Sequence, residues 1–345
     1  MYRALWTPPA VASLRSLLTV LALCAGALAT CTARAQQTER GGRLVPERSA
    51  LQWIQAIQQA AIRVNYSGTV IYQAGGEMRT SRITHLYDGT SSHERVQTLD
   101  GKPREFIRLR TENNDEVRCL IPESRRVIVE HRAVDDPFPG VIGAPAEAIL
   151  ERYGLKVGGV ERVAGIECRI VSLEPLDALR YGYRLCVDRV TGLLLKAQTF
   201  DAQRQLMEQI AFTDIRIGER IDRAQLKPAW PTEGWTVERS EYRPVDLDKA
   251  GWSVPTPAGF RRTKEVARRM GTRDAIQVVF SDGLATVSVF IEPSVPGAQV
   301  GDAALLTGPT AAYSRRVGDA LVTVVGEVPP AAVRSVADSV ESRPR

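Results

Sequence analysis

The sequence predicts a mainly β protein with two unequal parts. The first is an N-terminal curved antiparallel half-barrel of about ten strands with helices on its concave side, and the second is a smaller α+β C-terminal domain. Short alternating segments are joined by tight turns such as Asp88-Gly89 and Asp100-Gly101, which is typical of antiparallel hairpins. Helical spacing is rare, and Pro228, Pro231 and Pro244 break the rhythm about two thirds of the way along the chain.

The first part begins with a helix and continues as strands. Ser49 is a suitable N-cap for a helix from Ala50 to about Asn65, with an apolar stripe made by Leu51, Ile54, Ile57 and Ala61. A loop over residues 133–143 and a short helix over 144–153 interrupt the strands. The predicted strands are residues 68–73, 80–87, 92–99, 104–110, 116–121, 126–131, 157–163, 167–173, 181–188, 193–199 and 205–217.

The second part follows a linker that we place at residues 222–245. This assigns residues 36–221 to the first domain and 246–345 to the second. A flexible loop is predicted over 297–308 and a final helix over 331–340. The predicted strands of this part are residues 261–267, 275–280, 284–292, 311–317 and 320–325.

The N-terminus predicts export. Arg3 and Arg15 precede an apolar run over residues 17–23, and the segment ends in Ala33-Arg34-Ala35. These are the features of a secretory signal peptide over residues 1–35, although an uncleaved anchor is the alternative. Loss of three arginines with that segment lowers the formal net charge of +5. We therefore expect a protein that works outside the cytoplasm and has no nucleic-acid partner.

Three cysteines remain after the predicted cleavage, namely Cys119, Cys168 and Cys186. A hairpin centred near Asp177 would bring Cys168 opposite Cys186, and an oxidising compartment would allow them to form a disulfide. The alternatives are two buried thiols on neighbouring strands, or a pair that includes Cys119.

The residues that carry most enzyme chemistry are sparse. His85, His93 and His131 each stand alone in a different predicted strand, so no metal-ligand cluster is predicted. The chain has no Cys-x-x-Cys, no Gly-x-Ser-x-Gly and no phosphate-binding glycine loop. We therefore expect no catalytic residues, no metal and no cofactor, and a protein that is not an enzyme.

Two surfaces remain as candidates for binding. Alternation directs Ile83, Tyr87, Phe106, Val127 and Val129 inwards, where they line either an apolar ligand cavity or an ordinary core beneath the first helix. In the second part, a basic cluster and the strand over 284–292 could serve an acidic partner, although such a run is usually a solvated face. The cluster consists of Arg261, Arg262, Lys264, Arg268, Arg269 and Arg273. The candidate partner contacts are Phe260, Arg261, Arg262, Val287 and Val289.

Several phrases in order resemble one known family. They begin with Tyr-Ser-Gly-Thr-Val-Ile-Tyr at residues 66–72, Ser-Arg-Ile-Thr-His at 81–85 and Glu-Arg-Val at 94–96. Later come Tyr-Gly-Tyr-Arg-Leu at 181–185, Asp-Arg-Val-Thr-Gly-Leu-Leu at 188–194 and Pro-Ala-Gly-Phe at 257–260. The chain resembles the MucB/RseB proteins over nearly all of its predicted mature length.

The resemblance implies a periplasmic negative regulator of the envelope-stress sigma factor. Such a protein binds the periplasmic domain of an inner-membrane anti-sigma factor, protects it from regulated proteolysis and is released by lipid-bearing ligands such as lipopolysaccharide. The resemblance further implies that the first domain is a LolA-like, lipid-sensing half-barrel and that the second domain binds the anti-sigma factor. A periplasmic lipoprotein or lipid carrier is the main alternative, and a secreted hydrolase is the weaker one. The sequence leaves the oligomeric state open, a homo-oligomer included.

Overall fold

Two β-sheets dominate the structure, a computed structural model that describes residues 48–131, 142–239, 242–270, 273–294 and 301–343. The predicted signal peptide and most of the predicted loop over 133–143 lie outside these ranges. Ser49–Arg345 cluster into one compact unit. The mainly β fold class with few helices is confirmed. None of the helices in the described ranges is both long and apolar enough to cross a membrane.

The first sheet contains twelve strands in the order β12-β6-β5-β4-β3-β2-β1-β11-β10-β9-β8-β7. All neighbours are antiparallel except β12, which runs parallel to β6. Its strands are β1 (Tyr66–Ala74), β2 (Glu77–Tyr87), β3 (Ser92–Thr98), β4 (Glu105–Arg110), β5 (Asp115–Ile121), β6 (Arg126–His131), β7 (Tyr153–Val163), β8 (Ile166–Pro175), β9 (Gly182–Asp188), β10 (Leu194–Phe200), β11 (Leu206–Ile217) and β12 (Thr236–Arg239).

Helix α1 (Ala50–Arg63) lies on one face of this sheet and fills its main core. It begins where predicted, because Ser49 and Gln52 form a reciprocal capping box. Trp53, Ile54 and Ile57 are buried against the strands. A short helix, α2 (Ala146–Leu150), buries Ile149 in the same core.

The second sheet contains seven strands in the order β13-β15-β16-β17-β20-β19-β18. Helix α3 (Pro330–Asp338) covers one face of it with Val333 and Val336. A separate pair is formed by β14 (Trp252–Ser253) and β21 (Glu341–Ser342). The strands of the second sheet are β13 (Tyr242–Pro244), β15 (Arg261–Met270), β16 (Arg273–Ser281), β17 (Thr286–Pro293), β18 (Gly301–Thr307), β19 (Thr310–Val317) and β20 (Ala320–Gly326).

The prediction of a flexible loop over 297–308 was wrong where β18 lies. Residues 301–307 pair with β19 at the edge of the second sheet. Their sequence, Gly-Asp-Ala-Ala-Leu-Leu-Thr, lacks the alternation that identifies a strand. Hydrogen bonding to β19 therefore holds these residues in a strand, although their own sequence does not indicate one.

The predicted linker over 222–245 is bound to both sheets. It forms a 3-10 turn (Arg223–Leu226), then β12 beside β6, and then β13 beside β15. Trp230 and Trp235 pack on the face of the first sheet that is opposite α1. This segment is thus structured where the structure describes it, and its role as a domain boundary stays a prediction.

A disulfide joins Cys168 in β8 to Cys186 in β9. The two residues are diagonal neighbours, because Cys168 is opposite Asp188 and Cys186 is opposite Ile170. The hairpin is therefore centred one residue later than Asp177. Cys119, the third cysteine of the predicted mature chain, is half-buried in β5.

Candidate functional site

The five residues predicted to line a ligand cavity do not share one face of the first sheet. The ladder places Ile83, Val96 and Phe106 in one row, and the next positions in this row are Cys119 and Ile128. This row lies on the α1 side, since Ile83 belongs to the core that α1 fills. Successive strand residues point to opposite faces, so the neighbours of Ile128 in β6 point away from α1.

Val127 and Val129, which were predicted to point inwards, lie on the opposite face. There they form a small cluster with Leu120, against which Trp230 and Trp235 pack. Because Val127, Ile128 and Val129 are all apolar, alternation could not show which of them point towards α1. The prediction of one cavity lined by these valines together with Ile83 and Phe106 was therefore wrong.

Ile83 and Tyr87 also have separate environments. Ile83 is 2% exposed and is packed within the core beneath α1. Tyr87 is half-buried, and its hydroxyl donates a hydrogen bond of 2.6 Å to the carbonyl of Gly89 in the following turn. Ile83 therefore follows the alternative prediction, an ordinary core under the first helix.

His85 is buried in this same part of the sheet. Its ring stacks on Tyr66, with the ring centres 5.1 Å apart, and its Nδ1 lies 2.9 Å from the carbonyl oxygen of Val64. Burial lowers the pKa of His85 to about 4, and the positive charges of Arg108 and Arg110 act in the same direction. The imidazole is therefore neutral at pH 7, with Nδ1 as the donor to Val64.

The two sheets are joined by a buried ion pair, which the sequence analysis missed. Arg180, in the β8–β9 connection, places its Nε 2.6 Å from Oδ2 of Asp282, in the turn between β16 and β17. Tyr153 donates a hydrogen bond of 3.0 Å to the same oxygen. Burial raises the pKa of Tyr153 well above its usual value, so its hydroxyl stays a donor. We call the contact between these two connections the seam.

Beside the seam, the β16–β17 turn also closely approaches the backbone of the segment before α2. Gly143 donates a hydrogen bond of 2.7 Å to the carbonyl of Gly283. A Cβ placed on Gly283 would lie 2.1 Å from the Cβ of Ala144, and the φ of Gly283 is +97°. Only glycine fits this position without a shift of the backbone.

Two of the predicted partner contacts, Phe260 and Arg261, lie at or beside this seam, and Arg262 follows them in β15. Phe260 is half-buried, with the Arg180 guanidinium 4.5 Å from its ring centre. Arg261 donates a hydrogen bond of 3.2 Å to the carbonyl of Gly143. Arg262 pairs with Glu265 and donates to the carbonyl of Val254. These side chains are therefore engaged within the protein.

The other two predicted contacts, Val287 and Val289, are core residues. They are 1% and 0% exposed, on the face of the second sheet that α3 covers. A partner cannot reach side chains that are packed beneath α3. The assignment was wrong because alternation identifies an apolar face without saying what covers it.

The opposite face of the second sheet has a different character, and we call it the outer face. Phe290 lies opposite Gln277 and Thr323, while Ser288 lies opposite Val279 and Val325. Phe290 is half-buried. Lys264 and Arg268, two members of the basic cluster, lie on this face beside Tyr242, with Nζ of Lys264 3.6 Å from the Tyr242 ring centre. The face thus combines an aromatic centre with a basic edge.

Within the described ranges, no group of three or more His, Cys, Asp or Glu side chains is placed to hold a metal ion.

Comparison with known proteins identifies the family. A model of the MucB/RseB N-terminal domain matches residues 49–230, and a model of the MucB/RseB C-terminal domain matches residues 246–341. The chain belongs to the MucB/RseB family. The resemblance inferred from the sequence phrases is therefore confirmed.

Curated relatives of the family are sigma factor regulators by name. Sigma factor AlgU regulatory protein MucB of Pseudomonas aeruginosa is 30% identical over 298 residues, or 84% of this chain and 90% of that protein. Sigma-E factor regulatory protein RseB of Salmonella typhimurium is 26% identical over 301 residues, or 84% of this chain and 90% of that protein.

Solved structures of the family agree with the fold. The MucA/MucB complex of Pseudomonas aeruginosa contains a chain that matches with a TM-score of 0.69 at 29% identity, covering 86% of this chain and 99% of that one. MucB in complex with MucA(peri) matches with a TM-score of 0.67 at 28% identity, covering 86% and 100%. Both MucB/RseB structures thus match nearly all of the chain outside its N-terminal segment.

Proposed function

We propose that this chain is a periplasmic negative regulator of an extracytoplasmic stress sigma factor. It binds the periplasmic part of a membrane anti-sigma factor and shields that part from regulated proteolysis. The observation that carries the proposal is the likeness, over 86% of this chain, to MucB solved in complex with MucA(peri). The relatives are named as regulatory proteins, which supports action by binding without catalysis.

A periplasmic location is supported by two features of the chain. The N-terminus has the pattern of a secretory signal. Cys168 and Cys186 form a disulfide, and disulfides persist in oxidising compartments and are rare in the cytosol. We therefore place the working protein in the periplasm.

The outer face of the second sheet is the surface that we propose for the anti-sigma segment. An antiparallel sheet can leave one face to solvent, and here α3 covers the other. Phe290 supplies an aromatic anchor, and Lys264 and Arg268 supply positive charge at the edge. Aromatic and basic residues are enriched at protein interfaces, so this surface suits an apolar segment that carries acidic residues.

Release is proposed to depend on the arrangement of the two sheets. In one arrangement the seam is closed and the partner is held, and in the other a lipid-bearing ligand on the first domain favours dissociation. Such a ligand can shift this balance only by its difference in affinity for the two states. The buried pair of Arg180 and Asp282 gives the closed state a defined geometry.

Two measurements test the proposed function. The purified chain is immobilised and exposed to a periplasmic and membrane extract, and we expect it to retain a membrane anti-sigma factor. The periplasmic fragment of that protein is then digested by its site-specific protease with and without the chain, and we expect slower cleavage with it. Cleavage at an unchanged rate would refute the shielding role. Delivery of a lipid or lipoprotein cargo to acceptor membranes would favour the carrier alternative.

A further inference from the structure

A buried carboxylate on the first sheet anchors the segment that leads to the second sheet. Glu105 in β4 is 0% exposed and lies on the face opposite α1, in one row with Leu120 and Val127. One of its oxygens accepts a hydrogen bond of 2.9 Å from the backbone N–H of Ala229, and the other is paired with Nε of Arg95. The segment is therefore bound directly to a charge inside the first sheet.

Further contacts hold the same segment, residues 223–239, which we call the docked linker. Arg95 also donates a hydrogen bond of 3.0 Å from a terminal nitrogen to the carbonyl of Gln225. Trp230 and Trp235 pack on the apolar cluster of this face, and β12 pairs with β6. The path of the docked linker over the first sheet is thus defined at its start, its middle and its end.

The docked linker leads directly into the second sheet. Arg239 ends β12, the outermost strand of the first sheet, and Tyr242 begins β13, the outermost strand of the second. The three residue steps between them span at most about 11 Å. The ring of Tyr242 lies beside Lys264 and Arg268. The position of the docked linker therefore limits where the basic edge of the outer face can lie.

The bond to Ala229 gives Glu105 a role beyond its own sheet. Arg95 and Glu105 stand on the neighbouring strands β3 and β4, so their ion pair by itself serves the first sheet alone. The second oxygen of the carboxylate binds the docked linker, and a hydrogen bond to an ionised acceptor is stronger than one to a neutral acceptor.

We propose that Glu105 is a positioning residue. It holds the docked linker on the first sheet and thereby keeps β13 and the basic edge of the outer face in the geometry that binds the anti-sigma segment. A change in the first sheet at Glu105 would then reach the partner surface through the chain itself. The effect on partner binding rests on the proposed function, whereas the positioning of the docked linker and β13 does not.

Hydrogen–deuterium exchange of Glu105→Gln tests the positioning. Glutamine has one acceptor oxygen where glutamate has two, so either Ala229 or Arg95 faces its NH2 group and the docked linker loses an anchor. We expect faster exchange in peptides from residues 223–239 and 242–247, and unchanged exchange in β8 and β9. Ala229→Pro removes the N–H donor and leaves the ion pair in place. It should give the same pattern, and it carries the test if Glu105→Gln does not fold.

Calorimetric titration with the periplasmic fragment of the retained anti-sigma factor tests the effect on binding. If the docked linker is in place in only about a fifth of the variant molecules, the dissociation constant rises about fivefold. We expect a rise of this size for Glu105→Gln. Asp115→Asn is the matched control, because Asp115 forms a buried ion pair with Arg108 in the same sheet. It should lower stability in urea denaturation comparably and leave the dissociation constant and the exchange of residues 223–239 unchanged.

Two results of the exchange experiment would overturn the proposal. One is unchanged exchange in residues 223–239, and the other is faster exchange there that does not extend to residues 242–247. A dissociation constant that is the same for Glu105→Gln as for Asp115→Asn would overturn it as well. If the unaltered chain binds no anti-sigma fragment, the proposed function fails, and the exchange experiment alone decides whether Glu105 positions the docked linker and β13.

Discussion

Arg180 and Asp282 meet through Nε and Oδ2 at 2.6 Å, and both side chains are fully buried. They are 102 residues apart in the chain and belong to connections of different sheets. Asp282 also accepts bonds from the backbone of Leu284 and Ala285. One carboxylate thus shapes its own turn and holds the turn against the first sheet.

Removing this carboxylate should destabilise the protein strongly. Asp282→Ala leaves the Arg180 guanidinium buried without its main counter-charge, and the loss of one partner from a buried pair costs about 3–5 kcal/mol. Tyr153→Phe removes only one hydrogen bond to the same charged oxygen and should cost about 1.5–3 kcal/mol. Urea denaturation of each variant measures the free energy of unfolding.

An exposed ion pair provides the control for this experiment. Arg126 and Glu238 lie 3.0 Å apart with more than 40% of each side chain exposed, and such pairs contribute at most about 1 kcal/mol. Glu238→Ala should therefore change stability little. A loss of stability for Asp282→Ala no larger than that for Glu238→Ala would contradict the role given to the seam.

Gly283→Ala should destabilise the seam by a route that involves no charge. The new Cβ would overlap Ala144, with its nitrogen at 2.6 Å, and the turn would have to shift. Gly89→Ala is a matched control, because Gly89 has a similar φ of +101° and no atom within 4 Å of the place that a methyl group would take. Both changes carry the strain of a positive φ, of about 1 kcal/mol or more. Gly283→Ala should lower the free energy of unfolding appreciably more than Gly89→Ala does. Equal losses for the two variants in urea denaturation would count against close packing at the seam.

Acid should weaken the fold through His85. Its pKa is about 4 in the folded protein and 6.5 for the free side chain, so between these values the unfolded chain binds a proton that the folded chain excludes. The contribution of His85 to the free energy of unfolding is fully present above pH 6.5 and is lost as the pH drops towards 4. Between pH 7 and pH 4.5 the loss should be about 2 kcal/mol.

His85→Gln removes the titrating ring and keeps a donor for the Val64 carbonyl. Urea denaturation at several pH values should show a flatter profile for this variant than for the unaltered chain. His131→Gln makes the same change on an exposed strand residue and should follow the unaltered chain. If the His85→Gln profile is as steep as that of the unaltered chain, another group is responsible.

The strands could be predicted from sequence because alternation and turn residues are local signals. The direction of their side chains could be predicted less well. Val127, Ile128 and Val129 are apolar in succession, and the face of β6 that carries the two valines is covered by tryptophans about a hundred residues later in the chain. In β17 alternation separates Val287 and Val289 from Phe290 correctly, but it does not say which face receives α3.

The seam could not be predicted by local signals at all. Arg180 and Asp282 each have the sequence context of a polar turn residue. They form a buried ion pair only because two distant turns pack against each other. Contacts between distant connections depend on tertiary packing, to which hydrophobic periodicity is insensitive.

The outer face of the second sheet gives the most direct prediction about partner binding. Phe290→Glu puts a negative charge at the centre of a surface that we expect to meet an acidic, apolar segment. The dissociation constant for the anti-sigma periplasmic fragment should rise at least about tenfold, the effect expected of an interface anchor. Ser288→Glu tests the same face without removing an apolar contact and should act in the same direction. Calorimetric titration measures both.

Val190→Glu is the control for this charge, because Val190 is 84% exposed in a turn of the first sheet. It should bind the fragment with unaltered affinity. A second arm replaces Lys264 and Arg268 by alanine, which should slow association and reduce its dependence on salt, since charges at the edge of an interface mainly steer encounter. If Phe290→Glu and Ser288→Glu bind as tightly as Val190→Glu while remaining folded, the anti-sigma segment lies elsewhere on the molecule.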